Sequence, residues 1–352
     1  MKKRYIVYLC VLLLIVVGGI MGQGLIPPVL PIIQLPGEVV LKWGEGSPLN
    51  GLFAKGLTNT FIAAVLTFII LLAMAFSLRA KSRTADDVPS GFYNFFEMVI
   101  EFAFGYVEGS AGKWAKAFFP FFMTFILWIL VANWMELVPG VDAIGKWENL
   151  PHYAAEKAAL AAKEENPDIS EEELHAIELE AEHAAEGTGD LRNGILLLRA
   201  QEGDEGADWA IVPYVRAAAT DLNFTIALAL ISVVMTQFYG MRAQGMKYWS
   251  KFFTWPAERI KQNPLAILDP LVGLLEFVSE LFKIVSFAFR LLGNIFAGQV
   301  LLFVIGALLP VANLLFWHLE FAVGALQAGV FALLTLTFMA GATQGHGHGD
   351  EH

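Results

Sequence analysis

The stretch from Pro270 to Pro310, PLVGLLEFVSELFKIVSFAFRLLGNIFAGQVLLFVIGALLP, decides the fold of this chain. A continuous helix over these residues would be about 60 Å long at about 1.5 Å per residue, whereas the hydrocarbon core of a bilayer is about 30 Å thick. Such a helix cannot stand upright in a membrane, so we expect it to be strongly tilted or bent. A tilted helix places much of its length near the centre of the bilayer.

The composition of the whole chain agrees with a membrane protein. Of its 352 residues, 56% are hydrophobic and only 16% are charged, whereas a soluble domain has about 25% charged residues. This excludes an ordinary soluble enzyme, a nucleic-acid-binding protein and a disordered scaffold. The single cysteine, Cys10, excludes a disulfide framework and a cysteine metal site. We expect no cofactor and no nucleic-acid partner.

The apolar runs predict an all-α polytopic membrane protein with about five transmembrane helices, an N-terminal signal or signal-anchor helix, and a long, strongly tilted helix pair near the C-terminus. The order of segments is 1–22, signal peptide or signal-anchor helix; 23–56, external Pro/Gly-rich segment; 57–140, membrane helices and an amphipathic interfacial helix; 141–210, acidic external insert; 211–342, helical core; 343–352, His-rich cytoplasmic tail.

The distribution of charge predicts the orientation. Residues 141–210 carry 18 acidic and 5 basic side chains, so the rest of the chain has a charge of +2. Basic clusters beginning at Lys2, Arg79 and Arg242 follow or precede apolar runs, and alternating spans place all three on the cytoplasmic side. The same alternation places the acidic insert outside and the C-terminus in the cytoplasm.

The acidic insert has the pattern of a helical hairpin, at about 152–165 and 170–186. Ser170 followed by Glu173 is typical of a capping box at the start of the second helix. We expect a solvated insertion without chemistry of its own. The tail sequence GHGHGDEH could bind metal adventitiously, but it lacks a preorganised geometry and is better interpreted as disordered.

Polar residues form one stripe along the predicted helix, within an arc of about 120° at 100° per residue. They are Glu276, Ser279, Glu280, Lys283, Ser286, Arg290 and Asn294. Arg290 is the most informative, because an arginine at the bilayer centre costs about 2.5–3.5 kcal/mol and cannot lose its proton. This suggests a partner surface that supplies a carboxylate, or, as a purely structural alternative, pairing with Glu276 or Glu280.

The last apolar run carries a second stripe, in which Asn313, Glu320 and Gln327 recur every seven residues. A carboxylate within a span predicts a polar cavity or a proton relay, and Glu320 is that carboxylate. His318 lies roughly on the opposite face, where a structural hydrogen bond and a relay role are both open. Gln299 lies off the first stripe and should face a different surface.

These motifs resemble subunit a of the F-type rotary ATP synthases. The similarity rests on SFAFRLLGNIFAG at 286–298, LQAGVFALLT at 326–335, NWMELVPG at 133–140, DLNFTIAL at 221–228 and GFYNFFEMVIEF at 91–102. The resemblance implies a non-catalytic stator subunit that lies beside a rotating ring of c subunits, with peripheral-stalk b subunits and the remainder of the complex as further partners. It also implies two offset half-channels that carry protons to and from the ring carboxylates, in the cell membrane.

The resemblance implies a role for each matching residue. Arg290 matches the arginine that faces the ring carboxylate and blocks direct ion leakage between the half-channels. The expected half-channel residues are Glu320, Gln299, Asn294, Gln327, Glu276, Lys283, His318, Asp221, Asn223 and Asn133.

The chain departs from the family pattern at two of these positions. The family often has an acidic residue where this chain has Gln299, and often a histidine where it has Glu320. We interpret the change as a carboxylate that has moved from one helix to its neighbour.

Two alternatives to the stator function remain open from the sequence. A self-contained secondary transporter or channel would also have intramembrane Arg and Glu, but the chain has no internal repeat and Arg290 has no acidic neighbour in sequence. The second alternative is a membrane scaffold whose charged residues have a purely structural role. The coupling ion, the ring stoichiometry and cleavage of the N-terminus do not follow from the sequence.

Overall fold

The computed structural model describes residues 37–41, 43, 56–82, 92–193, 196–198, 206–252 and 268–344. The predicted signal or anchor helix at 1–22, most of the Pro/Gly-rich segment and the histidines of the tail lie outside the described residues.

Eight α-helices and six short strands make up the described chain. The helices are α1 (Asn59–Ser82), α2 (Phe92–Ala111), α3 (Ala115–Glu136), α4 (Leu150–Glu165), α5 (Glu171–Ala185), α6 (Leu222–Gln244), α7 (Asp269–Leu308) and α8 (Pro310–Thr343). The strands are β1 (Val39–Leu41), β2 (Leu57–Thr58), β3 (Gly145–Asn149), β4 (Leu191–Asn193), β5 (Leu196–Leu198) and β6 (Trp209–Pro213), and they pair antiparallel as β1–β2, β3–β6 and β4–β5.

Five helical segments of the described residues are long and apolar enough to cross a membrane: Asn59–Arg79, Tyr93–Glu136, Leu222–Lys251, Asp269–Gly306 and Ala312–Thr343. The predicted all-α polytopic fold is confirmed. The predicted long helix is also present, because α7 runs for 40 residues without a break and α8 begins at the proline that ends it.

The described residues divide into two compact units. The insert unit contains the described residues up to Ala63, together with Glu136–Arg216 and Ala297–Phe321. The arginine unit contains Ala64–Met135, Ala217–Phe296 and the described residues from Ala322 onward. Each unit has its own buried side chains.

Aromatic side chains fill the core of the arginine unit. The ring of Phe331 on α8 lies 5.2 Å, between centroids, from Phe125 on α3 and from Phe287 on α7. Ser232 on α6 shares a buried 2.7 Å hydrogen bond with Thr335 on α8. The unit thus holds α7 by one face and leaves its other face uncovered by the described chain.

In the insert unit, a two-stranded ribbon carries a helical hairpin. Strands β3 and β6 pair in register from Gly145 to Asn149, and α4 and α5 follow β3. Asn149 caps α4 by accepting from the N–H of His152, and Ser170 caps α5 by accepting from the N–H of Glu173. The Ser170 hydroxyl also donates to the Glu173 carboxylate at 3.0 Å, so the predicted helix start at Ser170 is confirmed, with this bond in place of the backbone bond of a capping box.

A buried ion pair joins the N-terminal strand region to the end of the insert. Nη1 of Arg216 donates to both carboxylate oxygens of Glu38, at 3.0 and 3.2 Å, and each side chain is 1% exposed. Asn59 donates to the same carboxylate at 2.7 Å and to the carbonyl oxygen of Pro213 at 3.2 Å. Removing one partner of such a pair costs about 3–5 kcal/mol, because the other charge stays buried. This pair therefore fastens the insert to residues near the start of α1.

Candidate functional site

Arg290 lies on an uncovered, apolar face of α7. Its side chain is exposed, and so are the neighbouring Val285 and Phe289. The guanidinium carbon lies 5.9 Å from the ring centre of Phe287, and no carboxylate among the described residues of the arginine unit forms an ion pair with it. A permanent cation therefore lies on an apolar surface, and no carboxylate of its own unit neutralises it within the described residues.

The polar stripe of α7 divides into two parts with different environments. Ser286, Arg290 and Asn294 are exposed, and a Cβ added at Gly293 would meet no atom within 4 Å. Glu280, earlier on the helix, is buried. The stripe expected to be one surface is thus an open patch at one end and a packed polar cluster at the other.

Glu280 is the centre of the packed cluster. Its carboxylate accepts from Nζ of Lys283 at 2.8 Å and from Nε2 of Gln237 at 2.9 Å, and it lies 3.7 Å from Nζ of Lys251. The hydroxyl of Tyr248 donates to Oε1 of Gln237 at 2.7 Å. The lysines, rather than Arg290, therefore neutralise this carboxylate.

Glu276 belongs to the same cluster, since its carboxylate lies 3.6 Å from Nζ of Lys251. The alternative in which Glu276 or Glu280 neutralises Arg290 does not match this arrangement, because both carboxylates have lysine partners. Lys251 and Lys283 also lie over aromatic rings, with Lys283 4.3 Å from the ring centre of Phe338. Such contacts further reduce the cost of holding the ammonium groups out of water.

We expect Glu280→Leu to destabilise the arginine unit by about 2 kcal/mol, less than the 3–5 kcal/mol typical of a fully buried pair, because the lysines keep some solvent contact. Glu280→Gln keeps the side-chain size and a hydrogen bond to Gln237, so its effect should be smaller. The thermal midpoint of the purified protein measures both. The exposed neighbour Ser279 offers the control Ser279→Ala, and equal midpoints for Glu280→Leu and this control would contradict the prediction.

In the insert unit, Glu320 packs against the turn of α7 that carries Gln299. Its carboxylate touches the backbone of Gly298 so closely that a Cβ at that position would collide with it. Gln299 is buried, and its Oε1 has no hydrogen-bond partner within the described chain. Glu320 therefore lies against the residue that precedes Gln299 on α7, and the shared half-channel expected for these two positions stays a prediction.

The remaining predicted residues of α8 and α3 are His318, Gln327 and Asn133. His318 donates from Nδ1 to the carbonyl oxygen of Leu314, one turn earlier, at 2.7 Å, which is the structural arrangement considered for it. Asn133 and Gln327 are both buried in the arginine unit. Gly324 brings α8 into contact with Asn133, since a Cβ at Gly324 would lie 3.3 Å from that of Asn133.

At the start of α6, Asp221 accepts from the N–H of Asn223 at 2.9 Å and caps the helix, while the Asn223 side chain is exposed. An aspartate at this position is a normal helix cap, so its place here is explained by local structure. Its predicted half-channel role stays a prediction.

Sequence reasoning missed several polar residues that the structure joins to the predicted ones. Gln237 is a polar residue inside an apolar run, a signal that could have identified it. Tyr248 and Lys251 follow in a short 3-10 helix, Gly245–Lys251, and had no signal in the sequence pattern. Their positions depend on the path that the chain takes after the end of α6, which brings them to the Glu280 cluster.

Comparison with known proteins identifies the family. The family model described as ATP synthase A chain matches residues 60–340. The chain belongs to the ATP synthase A chain family. The resemblance drawn from the arginine motif is therefore confirmed, and the chain is a multi-pass membrane protein of this family.

Individual relatives carry the name ATP synthase subunit a. One from Campylobacter jejuni is 40% identical over 141 residues, which cover 39% of this chain and 58% of the relative. One from Mycobacterium ulcerans is 26% identical over 292 residues, which cover 82% of this chain and 87% of the relative. The chain thus spans 58% of the length of the Campylobacter relative, and most of the length of the mycobacterial one.

Proposed function

We propose that this chain is the ion-carrying stator subunit of an ATP synthase, with no catalytic reaction of its own. It provides two half-channels through which protons reach and leave the carboxylates of a rotating c-subunit ring. The b subunits of a peripheral stalk hold it in the cell membrane, with the acidic insert outside and the C-terminus in the cytoplasm. The flow of protons then drives rotation and ATP synthesis.

The observation that carries this proposal is the exposed Arg290 on the apolar face of α7. A guanidinium cannot lose its proton, and pairing with a carboxylate lowers its cost at the bilayer centre. Because no acidic residue of its unit pairs with it within the described chain, the partner carboxylate belongs to another subunit. The charge of Arg290 stabilises the ionised ring carboxylate when rotation brings that carboxylate beside it. The same charge excludes a second cation from the path between the half-channels.

Asn294 lies one turn from Arg290 on the same exposed face, and its amide can bond to the same ring carboxylate. Gln327 supports this site from α8. Glu320, Gln299 and His318 line the half-channel on the insert side, and Glu276 and Lys283 line the one on the cytoplasmic side. Asn133 is a further predicted half-channel residue. Asp221 and Asn223 complete the predicted set.

Disulfide trapping tests the ring-facing surface directly. In a Cys10→Ser background, we expect Asn294→Cys, on the exposed face of α7, to form an oxidant-dependent cross-link with a cysteine on the outer helix of the c subunit. Thr335→Cys is the matched control, because Thr335 is 1% exposed and faces α6. The cross-linked band is measured by non-reducing gel electrophoresis of the assembled complex.

Absence of an Asn294→Cys cross-link, with a ring cysteine scanned through a full helical turn, would contradict a ring-facing α7. Reconstitution of the chain alone in vesicles is the second test. Substrate-driven ion flux without any partner subunit would favour a self-contained transporter instead.

A further inference from the structure

A groove between α4 and α5 of the insert unit has no role in the proposed half-channels. Ala155, Ala159 and Leu160 line it from α4, and Leu179 lines it from α5. The two alanines are four positions apart, so they lie on the same face of α4. The groove has a volume of about 370 Å³, which is within the range of about 300–1,000 Å³ for ligand sites in proteins.

The small side chains of the two alanines keep the groove open. Ala155 and Ala159 are 7% and 8% exposed and form its floor, whereas Leu160 and Leu179 at its edges are 37% and 42% exposed. None of the described residues of α5 is buried, so the apolar side chains of this helix gain little from packing within the chain. An apolar groove with exposed leucines at its edges is typical of a surface that a partner covers.

The length of the groove fits a helix. His152 and Lys163 are the first and last residues of α4 that line it, and eleven positions along a helix correspond to about 16 Å. Residues 166–170 alone join α4 to α5, so the two helices run antiparallel and the groove follows both of them. A partner helix of about three turns can therefore lie along it, as in other proteins that hold an amphipathic helix in a groove.

Carboxylates border this apolar floor. The rim glutamates are Glu156 on α4 and Glu178 and Glu182 on α5, and Lys163 also lines the groove. Residues 150–185 carry ten acidic and two basic side chains, a net charge of −8 with neutral histidines. A surface with this charge attracts cations and repels anions.

The charge selects the class of partner. Nucleic acids and anionic lipid headgroups are repelled by the rim glutamates. A second copy of the hairpin carries the same charge of −8 and is repelled as well. A protein helix with apolar side chains on one face and lysine or arginine on its flanks matches both the apolar floor and the acidic rim.

We propose that the groove between α4 and α5 binds a basic amphipathic helix of a partner protein on the insert side of the membrane. Apolar side chains of that helix fill the space above the two alanines and contact the two leucines, while its basic side chains pair with the rim glutamates. The insert is then a docking module of the complex. This role goes beyond the proposed half-channel function and does not depend on it.

The test measures peptide binding to the whole ATP synthase in phosphatidylcholine nanodiscs. The probe is a fluorescein-labelled peptide of about four helical turns, with leucines spaced by three and four positions and lysines elsewhere. Empty nanodiscs correct for its adsorption to lipid. We expect saturable binding by fluorescence anisotropy, and at least about tenfold weaker binding when serine replaces every leucine of the peptide, because the apolar face then has nothing to bury.

Variants of α5 separate the groove from the overall charge. Leu179→Gln should weaken binding about fivefold or more, because it removes an apolar contact without a change of charge. Glu178→Gln with Glu182→Gln should weaken binding by about the same factor at low salt and by less at high salt. Glu172→Gln with Glu180→Gln is the matched control, because these exposed glutamates lie outside the groove lining. The control should change binding less than about twofold.

An equal loss of binding in the control pair would mean attraction by overall charge, and it would overturn the docking site. Binding that Leu179→Gln leaves unchanged would also overturn it, as would the absence of saturable binding to the wild-type complex. ATP synthesis by the same preparations should equal the wild-type rate, which checks that the complexes are intact. Because Arg290 variants test the half-channels separately, a negative peptide result with the expected Arg290 phenotype would reject the docking site alone.

Discussion

Replacing Arg290 with alanine is expected to abolish ATP-driven proton pumping and to make the membrane sector passively leaky to protons. The guanidinium is the fixed charge on the exposed face of α7, with no described carboxylate of its own unit to replace it. Under the proposed function, the loss of this charge removes the group that stabilises the ionised ring carboxylate and the cation that separates the two half-channels. Quenching of a pH-sensitive dye in vesicles measures both effects.

Arg290→Lys should fail as well, with little leak. An ammonium keeps the charge but lacks the planar fork of five donors, and unlike a guanidinium it can lose its proton in an apolar setting. Arg242→Ala is the control, because this exposed arginine lies in the last turn of α6 and does not belong to the polar stripe of α7. An Arg290→Ala complex that assembles and pumps with wild-type coupling would refute the role assigned to the arginine.

The second large effect is expected for Glu320. Glu320→Gln should slow proton uptake about tenfold or more, because no titratable group then remains beside Gln299 to transfer a proton. The amide fills the same space against Gly298, so the packing of α7 on α8 should persist. The initial rate of ATP synthesis under an imposed gradient measures the effect, and the yield of intact complex checks assembly.

Returning the carboxylate to the neighbouring helix should restore part of the rate. In the double variant Gln299→Glu with Glu320→Gln, the carboxylate and the amide exchange places across the contact at Gly298. Gln299→Glu alone places two carboxylates together, which raises the proton affinity of one and slows its release. A double variant no faster than Glu320→Gln, in a complex that assembles normally, would mean that Glu320 is needed at its own position.

Local sequence patterns were sufficient to predict the secondary structure and the face of α7 that carries Arg290. The long helix between Pro270 and Pro310, the five apolar spans and the helix start at Ser170 are all present as predicted. Hydrophobic periodicity also placed Arg290 on a face of α7 with Ser286 and Asn294, because residues three and four apart share a face whatever surrounds the helix. These features depend on neighbours in the chain.

Periodicity did not reveal which part of that face is covered. The periodicity predicts one polar surface, yet Glu280 is buried and Asn294 is exposed. The difference arises because α6 and the 3-10 helix after it supply Gln237 and Lys251 at one end of the stripe only. A helical wheel describes the direction of a side chain and contains no information about the neighbouring helix.

By itself, the sequence therefore determined that the chain is a polytopic helical membrane protein and which family it resembles, and it predicts a partner carboxylate for Arg290. Only the tertiary structure decided which charges are paired. Arg216 and Glu38 are 178 residues apart in the sequence and form a buried pair. Glu320 on α8 likewise contacts Gly298 on the neighbouring helix α7. An ion pair between distant residues depends on how whole elements pack, and local propensity and hydrophobic period do not encode that packing.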